Sequence, residues 1–170
     1  GYDSWRGVAD DSWQNNGLHA GVNFGTRLGR FSDWTGIGFQ AGATMGVYNW
    51  DGTDYRPAHN NTSQQQGFVT YGFFRRPSDT CRFTGAVVQD WMINDNYGVY
   101  SQNPTLSQFR AQLGYAWNAW NEVGMWGTWS CLADTRNVSR VGSTTWQPFD
   151  QAAFYWHHKW KAFGPDTSIW

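Results

Sequence analysis

Hydrophobic and polar residues alternate strictly in two arms of residues 106–132. The first arm sets Phe109 and Leu113 on one face, and the second sets Val123 and Met125 on one face. A period of two is typical of β-strands that have one apolar and one polar face. The stretch therefore predicts a β-hairpin. Each arm runs about ten residues, longer than the usual strand of roughly five or six.

A tight turn at residues 119–121 would join the two arms. A three-residue turn at this place puts Asn118 opposite Glu122 and Gln112 opposite Thr128, so that polar side chains face polar side chains across the hairpin.

The same alternation recurs along most of the chain, so we expect strands joined by polar, turn-rich segments. The further predicted strands cover residues 18–28, 36–48, 67–75, 81–92, 149–159 and, as the start of another strand, 167–170. The predicted loops cover residues 1–16, 49–66, 94–105 and 133–148, with short links between the remaining strands.

The lengths of these connections alternate between short and long. In an up-and-down meander, alternate connections lie at opposite ends, so the short turns share one end and the long loops the other. Outer-membrane barrels have this asymmetry, which a Greek-key sandwich has no reason to show. The sequence therefore predicts an all-β fold: an antiparallel up-and-down β-barrel of the transmembrane, outer-membrane type, with about eight strands in one domain at 1–170.

Composition supports strands over helices and narrows the partners. The chain has 13 Trp, 8 Tyr, 11 Phe and 20 Gly, with 15% charged residues and a net charge of -1. Aromatic residues favour strands, and a near-neutral chain lacks the basic stripe that nucleic acid requires. No apolar run reaches the roughly 18 residues of a transmembrane helix. Cys81 and Cys131 fall at opposite strand ends and are expected to stay unpaired.

The aromatic residues are expected to form two interfacial girdles at the ends of the strands. The candidate membrane-interface residues are Trp34, Trp50, Trp91, Trp120, Trp129, Trp146 and Trp160.

The polar faces of the predicted strands would line the barrel interior. The candidate lumen-lining residues are His19, Asn23, Arg27, Gln40, Arg82, Asp90, Arg110, Gln112, Glu122, Gln151, His157 and Lys159. Their charges could form a constriction that selects solutes, or they could hydrogen-bond within a plugged, rigid interior.

The chain offers no convincing catalytic or metal site, so we expect a protein that is not an enzyme and has no cofactor. His157 and His158 are adjacent in a strand, so their side chains point to opposite faces and cannot easily share a metal ion. Ser130 with His157 could suggest a lipid hydrolase, but the Gly-x-Ser-x-Gly motif is lacking.

Residues 1–16 would be an external loop, which implies a preceding strand, and 167–170 is too short to cross a bilayer. We therefore expect an internal segment of a longer barrel chain.

The sequence resembles an uncharacterised family of planctomycete-type bacterial proteins that are similar to outer-membrane barrels. The segments that carry the resemblance are residues 3–17, 36–56, 66–74, 87–96, 102–116 and 155–160. The resemblance implies a barrel in the bacterial outer membrane, and it carries no assigned activity, catalytic residue or cofactor.

The expected function is that of an outer-membrane barrel, either a passive channel or a structural component of the envelope. Its partner would be the lipid bilayer, with other envelope proteins or further copies of the chain as additional candidates. The alternative is a secreted soluble β-sandwich or barrel that binds carbohydrate through surface Trp and Tyr. The two differ in whether the alternate apolar residues face outward or converge on a shared interior.

Overall fold

Antiparallel strands form one up-and-down sheet in the part of the chain that the structure describes. The structure is a computed structural model that describes residues 1–5, 15–49, 63–78, 80–97, 102–138, 141–159 and 168–169. Within these ranges the main sheet has nine strands, and each strand after the first pairs with the previous strand of the sheet. A separate two-stranded hairpin is inserted between the seventh and eighth strands of the sheet. This arrangement confirms the all-β, antiparallel, up-and-down prediction.

The elements follow one another in a simple order along the chain. They are β1 (Tyr2–Trp5), β2 (Asn15–Arg27), α1 (Arg30–Thr35), β3 (Ile37–Asn49), β4 (Gln64–Arg75), β5 (Phe83–Asp95), β6 (Thr105–Ala116), β7 (Asn121–Leu132), β8 (Asp134–Val138), β9 (Gly142–Trp146), β10 (Gln151–Lys159) and β11 (Ser168–Ile169). The sheet order is β1-β2-β3-β4-β5-β6-β7-β10-β11, and β8 and β9 pair separately. We call the end that holds the β2–β3, β4–β5, β6–β7 and β10–β11 connections the short-turn end, and the opposite end the long-loop end.

Three segments predicted as loops or links contain additional elements, a strand, a hairpin or a helix. Residues 1–16 contain β1 and the start of β2, and residues 133–148 contain the β8–β9 hairpin. The link at residues 29–35 contains α1, which Gly29 and Gly36 bound with positive φ angles of 57° and 72°. Short polar hairpins and six-residue helices carry too little hydrophobic periodicity to be recognised in a sequence.

The sequence-based register of the β6–β7 hairpin was wrong by two residues. Ala116, not Asn118, pairs with Glu122, and Arg110, not Gln112, pairs with Thr128. The reason lies in the turn, where the Asn118 Oδ1 accepts the backbone N–H groups of Trp120 and Asn121 at 2.8 Å each. This Asx turn holds residues 117–120 outside the ladder, and asparagine is well suited to form it.

The solvent exposure of the two faces of the sheet is the reverse of that in a water-soluble sheet. On the apolar face, large hydrophobic side chains of β2 to β7 and β10 are open to solvent, for example Val22 at 77% and Phe154 at 87%. On the opposite, polar face, Gln66, Asn94 and Thr128 are only 3–5% exposed. A water-soluble antiparallel sheet normally buries its apolar face and exposes its polar one.

The apolar face is continuous across seven strands because the register keeps apolar residues beside one another. Its large members are Leu18, Val22, Phe24, Phe39, Met45, Val47, Val69, Tyr71, Phe73, Phe83, Val87, Trp91, Ile93, Phe109, Leu113, Tyr115, Val123, Met125, Trp129, Phe154 and Trp156.

The sheet curves so that its polar face is concave. Asn23 of β2 and Arg110 of β6 line the same cavity of about 300 Å³. In a flat sheet, four strand spacings of roughly 4.8 Å would hold these strands about 19 Å apart. The inward curvature brings polar side chains of distant strands together and explains why they are buried.

Glycines on the polar face leave room for aromatic rings from neighbouring strands. The Tyr48 ring lies where side chains of Gly17 and Gly46 would stand, and Phe74 lies over Gly38. Covering a glycine with a cross-strand aromatic ring restores packing that the missing side chain would have supplied. The glycines therefore serve close packing of the concave face.

Among the described residues, β1 and β11 form the two edges of the sheet and do not pair with each other. The sheet is thus seen as an open, curved meander.

Among the described residues, α1 is far too short and polar to span a bilayer.

Two glycines of β4 provide a test of this packing. A methyl group at Gly72 would press on the backbone of β5, at 2.6 Å from the Val88 Cα, whereas one at Gly67 would meet its nearest atom at 3.8 Å. We expect Gly72→Ala to lower the free energy of unfolding by about 1–3 kcal/mol, since the backbone must shift. Gly67→Ala, the matched control, should be neutral or slightly stabilising. Urea titrations followed by tryptophan fluorescence measure both, and equal effects at the two sites would contradict the packing.

Candidate functional site on the polar face

Asp90 of β5 is the centre of a hydrogen-bond network on the polar face. Its carboxylate accepts the Thr70 hydroxyl at 2.6 Å, the Arg110 guanidinium at 3.1 Å and the Gln108 amide at 3.3 Å. Thr70 and Gln108 are its direct cross-strand partners, and Arg110 lies two residues further along β6 on the same face. The Asp90 side chain is 17% exposed, so the charge is largely shielded from water and is compensated by these donors.

Glu122 of β7 gathers a second network nearer the short-turn end. Its Oε1 accepts the Thr84 and Tyr155 hydroxyls, each at 2.6 Å. The Tyr155 oxygen in turn accepts the Gln112 amide at 2.8 Å. The Tyr155 ring reaches this position because it passes over Gly124 and Gly114, where a side chain would collide with it.

A third network closes the long-loop end of the polar face. The Gln66 amide donates to Asn94 Oδ1, and the Asn94 amide donates to the Pro104 carbonyl, both at 2.9 Å. Gln66 and Asn94 are both nearly fully buried. They lie in β4 and β5, although the sequence pattern assigned them to loops, because these strands are longer at this end than predicted.

A separate cavity of about 350 Å³ opens at the short-turn end. Arg82, Glu122, His157 and Lys159 line it together with the β6–β7 turn. The Arg82 guanidinium donates to the Trp117 carbonyl at 2.8 Å, which holds its charge at this mouth. His157 is 8% exposed, while Arg82 and Lys159 are open to solvent.

The predicted lumen-lining residues share the polar face but do not form one cluster. His19 contacts Asp3 at 2.9 Å, at the long-loop end of β2. Arg27 lies at the other end, 3.8 Å from Asp33 of α1. Gln40 lines the central cavity with Asn23 and Arg110. Gln151 is exposed at the start of β10 and lines a further cavity together with Asp90.

The candidate interface aromatics occupy both ends of the described sheet. Trp34 on α1 is 86% exposed and Trp120 in the β6–β7 turn 40%, both at the short-turn end. Trp129, exposed, and Trp91, half-buried, lie on the apolar face nearer the long-loop end. Trp146 lies in the β8–β9 hairpin, beyond the main sheet. Trp50 and Trp160 lie outside the described residues.

Sequence reasoning missed Tyr155 as a site residue and missed the Gln66–Asn94 pair. Tyr155 stands on the same face as His157, two residues away, so the alternation itself carried the signal. Its hydroxyl is the link between Gln112 and Glu122. Gln64 and Gln66 continue the alternation of β4, but polar strand ends look like loop sequence.

The arrangement is suited to hydrogen bonding and charge compensation. His157 and His158 point to opposite faces, and His158 contacts Asn121 at 2.7 Å. In the described part of the chain, no three His, Cys, Asp or Glu side chains are grouped for a metal ion. Cys81 and Cys131 are both free, as expected from their positions.

A family model matches residues 2–170, which is nearly the whole length. The chain belongs to DUF6666, a family of unknown function. No curated protein and no solved structure is detectably similar to it. Membership in DUF6666 confirms that the chain has uncharacterised relatives and assigns them no location, substrate or partner.

In this DUF6666 chain, Asp90 provides the test of the central network. Asp90→Ala removes the acceptor of three donors and leaves Arg110 without its carboxylate. We expect the free energy of unfolding to fall by about 2–3 kcal/mol, since hydrogen bonds to a charged group are the stronger kind. Asp95→Ala, on an exposed position of the same strand, should stay within about 0.5 kcal/mol of the wild type. Urea titration measures both, and a neutral Asp90→Ala would show that the network adds nothing.

The base of the β8–β9 hairpin provides a pH test. The Arg136 guanidinium, 2.9 Å from Asp134, and the Thr105 N–H, 3.0 Å away, lower the pKa of the Asp134 carboxyl below its usual range. A carboxyl whose folded pKa is lowered stabilises the fold above its unfolded pKa of about 3.9 and loses that contribution as pH falls through the folded value. Protection factors for hydrogen exchange in β8–β9, which correct for the slower intrinsic exchange in acid, should therefore fall on acidification below about pH 4.

The control for this pH test is Asp134→Asn. It should exchange faster than the wild type at neutral pH and should lack the acid-dependent step. An unchanged acid step in Asp134→Asn would assign the transition to a different carboxyl group.

Proposed function

We propose that this protein is an outer-membrane β-barrel protein of the bacterial cell envelope, acting as a passive channel or as a structural component. The observation that carries the proposal is the inverted exposure of the sheet: apolar side chains are open outward on seven strands, and several polar side chains, among them Gln66, Asn94 and Thr128, are buried on the concave face. This distribution is favourable in a lipid bilayer. The apolar face can contact the hydrocarbon chains, and the polar groups, which hydrocarbon cannot hydrate, are turned away from them.

The height of the apolar face supports the proposal. On β5 the face runs from Phe83 to Ile93, ten residue steps of roughly 3.4 Å along the strand. With strands tilted by about 40°, this corresponds to a band roughly 26 Å tall, close to the 25 Å of outer-membrane barrels. Of the charged side chains on this face, Asp95 lies beyond the band at the end of β5, and Arg75 ends β4 opposite Gly85, one same-face step inside the edge of the band.

The aromatic residues support the same placement. Trp34 and Trp120 would lie in the interface at the short-turn end, and Trp129 and Trp91 would lie near the other interface. Rings with one apolar and one polar side are favoured at the level of the headgroups. A transmembrane barrel also requires closed edges, so the proposal includes pairing of both edges of the sheet within the mature assembly.

The soluble, carbohydrate-binding alternative lacks such support. It requires the alternate apolar side chains to converge on a shared interior, and in the described sheet they face outward.

Two neighbouring residues on opposite faces provide a decisive test. Val22 is 77% exposed on the apolar face, and Asn23 follows it on the polar face. In a soluble protein, arginine at an exposed position is nearly neutral. In a barrel, arginine at the bilayer midplane costs about 2–4 kcal/mol. We therefore expect Val22→Arg to reduce insertion into phosphatidylcholine vesicles strongly and Asn23→Arg to insert as the wild type does.

Insertion is measured by vesicle flotation in carbonate buffer and by heat-dependent migration in gels. Equal behaviour of both variants, with extraction of the wild type by carbonate, would refute the membrane proposal and favour the soluble alternative. In planar bilayers, conductance by the inserted protein assigns a channel, and insertion without conductance assigns a structural role.

A further inference from the structure

We propose that the cavity at the short-turn end is a binding site for a phosphate-bearing anion. The site is distinct from the central Asp90 network, and it is lined by the ends of β6, β7 and β10 and by residues of the β4–β5 and β6–β7 connections. It deepens the proposed function, since an anion site at the mouth of a barrel would act on the solutes that reach it.

Two cations face this cavity without a carboxylate partner. Arg82 and Lys159 both line it, and neither lies within 4 Å of an acidic side chain among the described residues. By contrast, Arg110 and Arg136 are paired with Asp90 and Asp134 at 3.1 and 2.9 Å.

The positions of these two cations are set by the backbone around them. Arg82 donates to the Trp117 carbonyl at 2.8 Å, so the guanidinium is held at the β6–β7 turn and its other N–H groups remain available. The backbone N–H of Lys159 donates to the Trp120 carbonyl at 2.8 Å, which fixes the end of β10 beside the same turn. A guanidinium and an ammonium converging on one polar space are the groups that bind phosphate most often.

The one carboxylate among the described lining residues is already occupied. Glu122 accepts the Thr84 and Tyr155 hydroxyls at 2.6 Å each. These donors hold one carboxylate oxygen toward β5 and β10 and partly compensate its charge. An arriving anion therefore meets the uncompensated charges of Arg82 and Lys159.

The net charge of the short-turn end also favours the binding of an anion. Among the described residues at the short-turn end, basic side chains outnumber acidic ones. The basic residues are Arg27, Arg30, Arg75, Arg76, Arg82 and Lys159, and the acidic residues are Asp33 and Glu122. The described acids at the long-loop end are Asp3, Asp95, Asp134 and Asp150, against Arg136. Such a field draws anions toward the short-turn mouth.

The size of the cavity suits a small ligand. Its volume of about 350 Å³ is at the lower end of ligand sites, which run from roughly 300 to 1,000 Å³. Trp120, Asn118 and Asn121 complete the wall and add an aromatic surface and amide groups. A phosphate monoester with a few polar carbons would fill this space better than a free phosphate ion.

The test is calorimetric titration of the full chain with inorganic phosphate, glycerol 3-phosphate and glycerol. We expect both phosphates to bind, the ester more tightly, and glycerol not to bind. Arg82→Gln with Lys159→Gln should weaken phosphate binding by about tenfold or more, because each lost contact is a charge-assisted hydrogen bond.

The matched control removes two charges from the same end but outside the cavity: Arg30→Gln with Arg75→Gln. This variant should bind glycerol 3-phosphate as the wild type does. Equal weakening in both double variants would overturn the site and leave only a general field. Absence of phosphate binding by the wild type, or unchanged binding by the Arg82/Lys159 variant, would also overturn it.

These outcomes are independent of membrane insertion. Equal insertion of Val22→Arg and Asn23→Arg, with extraction of the wild type by carbonate, would refute the barrel proposal without changing phosphate affinity. Conversely, a protein that inserts into vesicles but does not bind phosphate would support the barrel proposal and refute the anion site.

Discussion

The structure depends on satisfying polar groups on the concave face of a curved sheet. When the sheet curves, side chains of distant strands are pressed together and lose water, so every buried amide, hydroxyl and carboxylate needs a partner. Asp90 and Glu122 meet this need by collecting neutral and charged donors from neighbouring strands. Removing one such acceptor would leave several donors unpaired at once, which is why these networks matter more than any single contact.

Small residues make that curvature and packing possible. Tyr48, Phe74 and Tyr155 each lie across the polar face over glycine, and Gly72 approaches the backbone of β5 closely. A residue with a Cβ at these places would push the strands apart or displace the ring that fills the space. The abundance of glycine and aromatic residues therefore has one cause: large rings supply the volume, and glycine opposite them gives the rings a place to lie.

The fold was largely predictable from the sequence because period-two alternation is a direct consequence of strand geometry. Residues of the long strands fell on the predicted faces, including Phe109, Leu113 and Phe154. Features set by single side-chain contacts were not predictable. The Asn118 turn shifts the hairpin register by two residues from the predicted one. In the predicted link before β3, the Ser32 hydroxyl accepts the Leu28 N–H and donates to the Ile37 carbonyl, and these bonds stabilise α1. The candidate site was partly predictable: Asp90 and Arg110 were identified, but the contact of Tyr155 with Glu122 depends on the path of the ring over Gly114 and Gly124.

The same geometry explains how the proposed location would contribute to stability. A sheet whose polar face is inside has few apolar side chains to bury against one another, and among the described residues only Tyr48, Val88, Leu106 and Val138 are buried hydrophobics. Hydrophobic burial is the dominant favourable term in folding, and under the proposed location this chain would obtain most of it at its outer surface. In the proposed bilayer the lipid covers that surface, and the fold and its surroundings are then thermodynamically inseparable. Under this proposal, the concave face contributes specificity and rigidity, while the apolar face contributes the free energy that holds the strands in place.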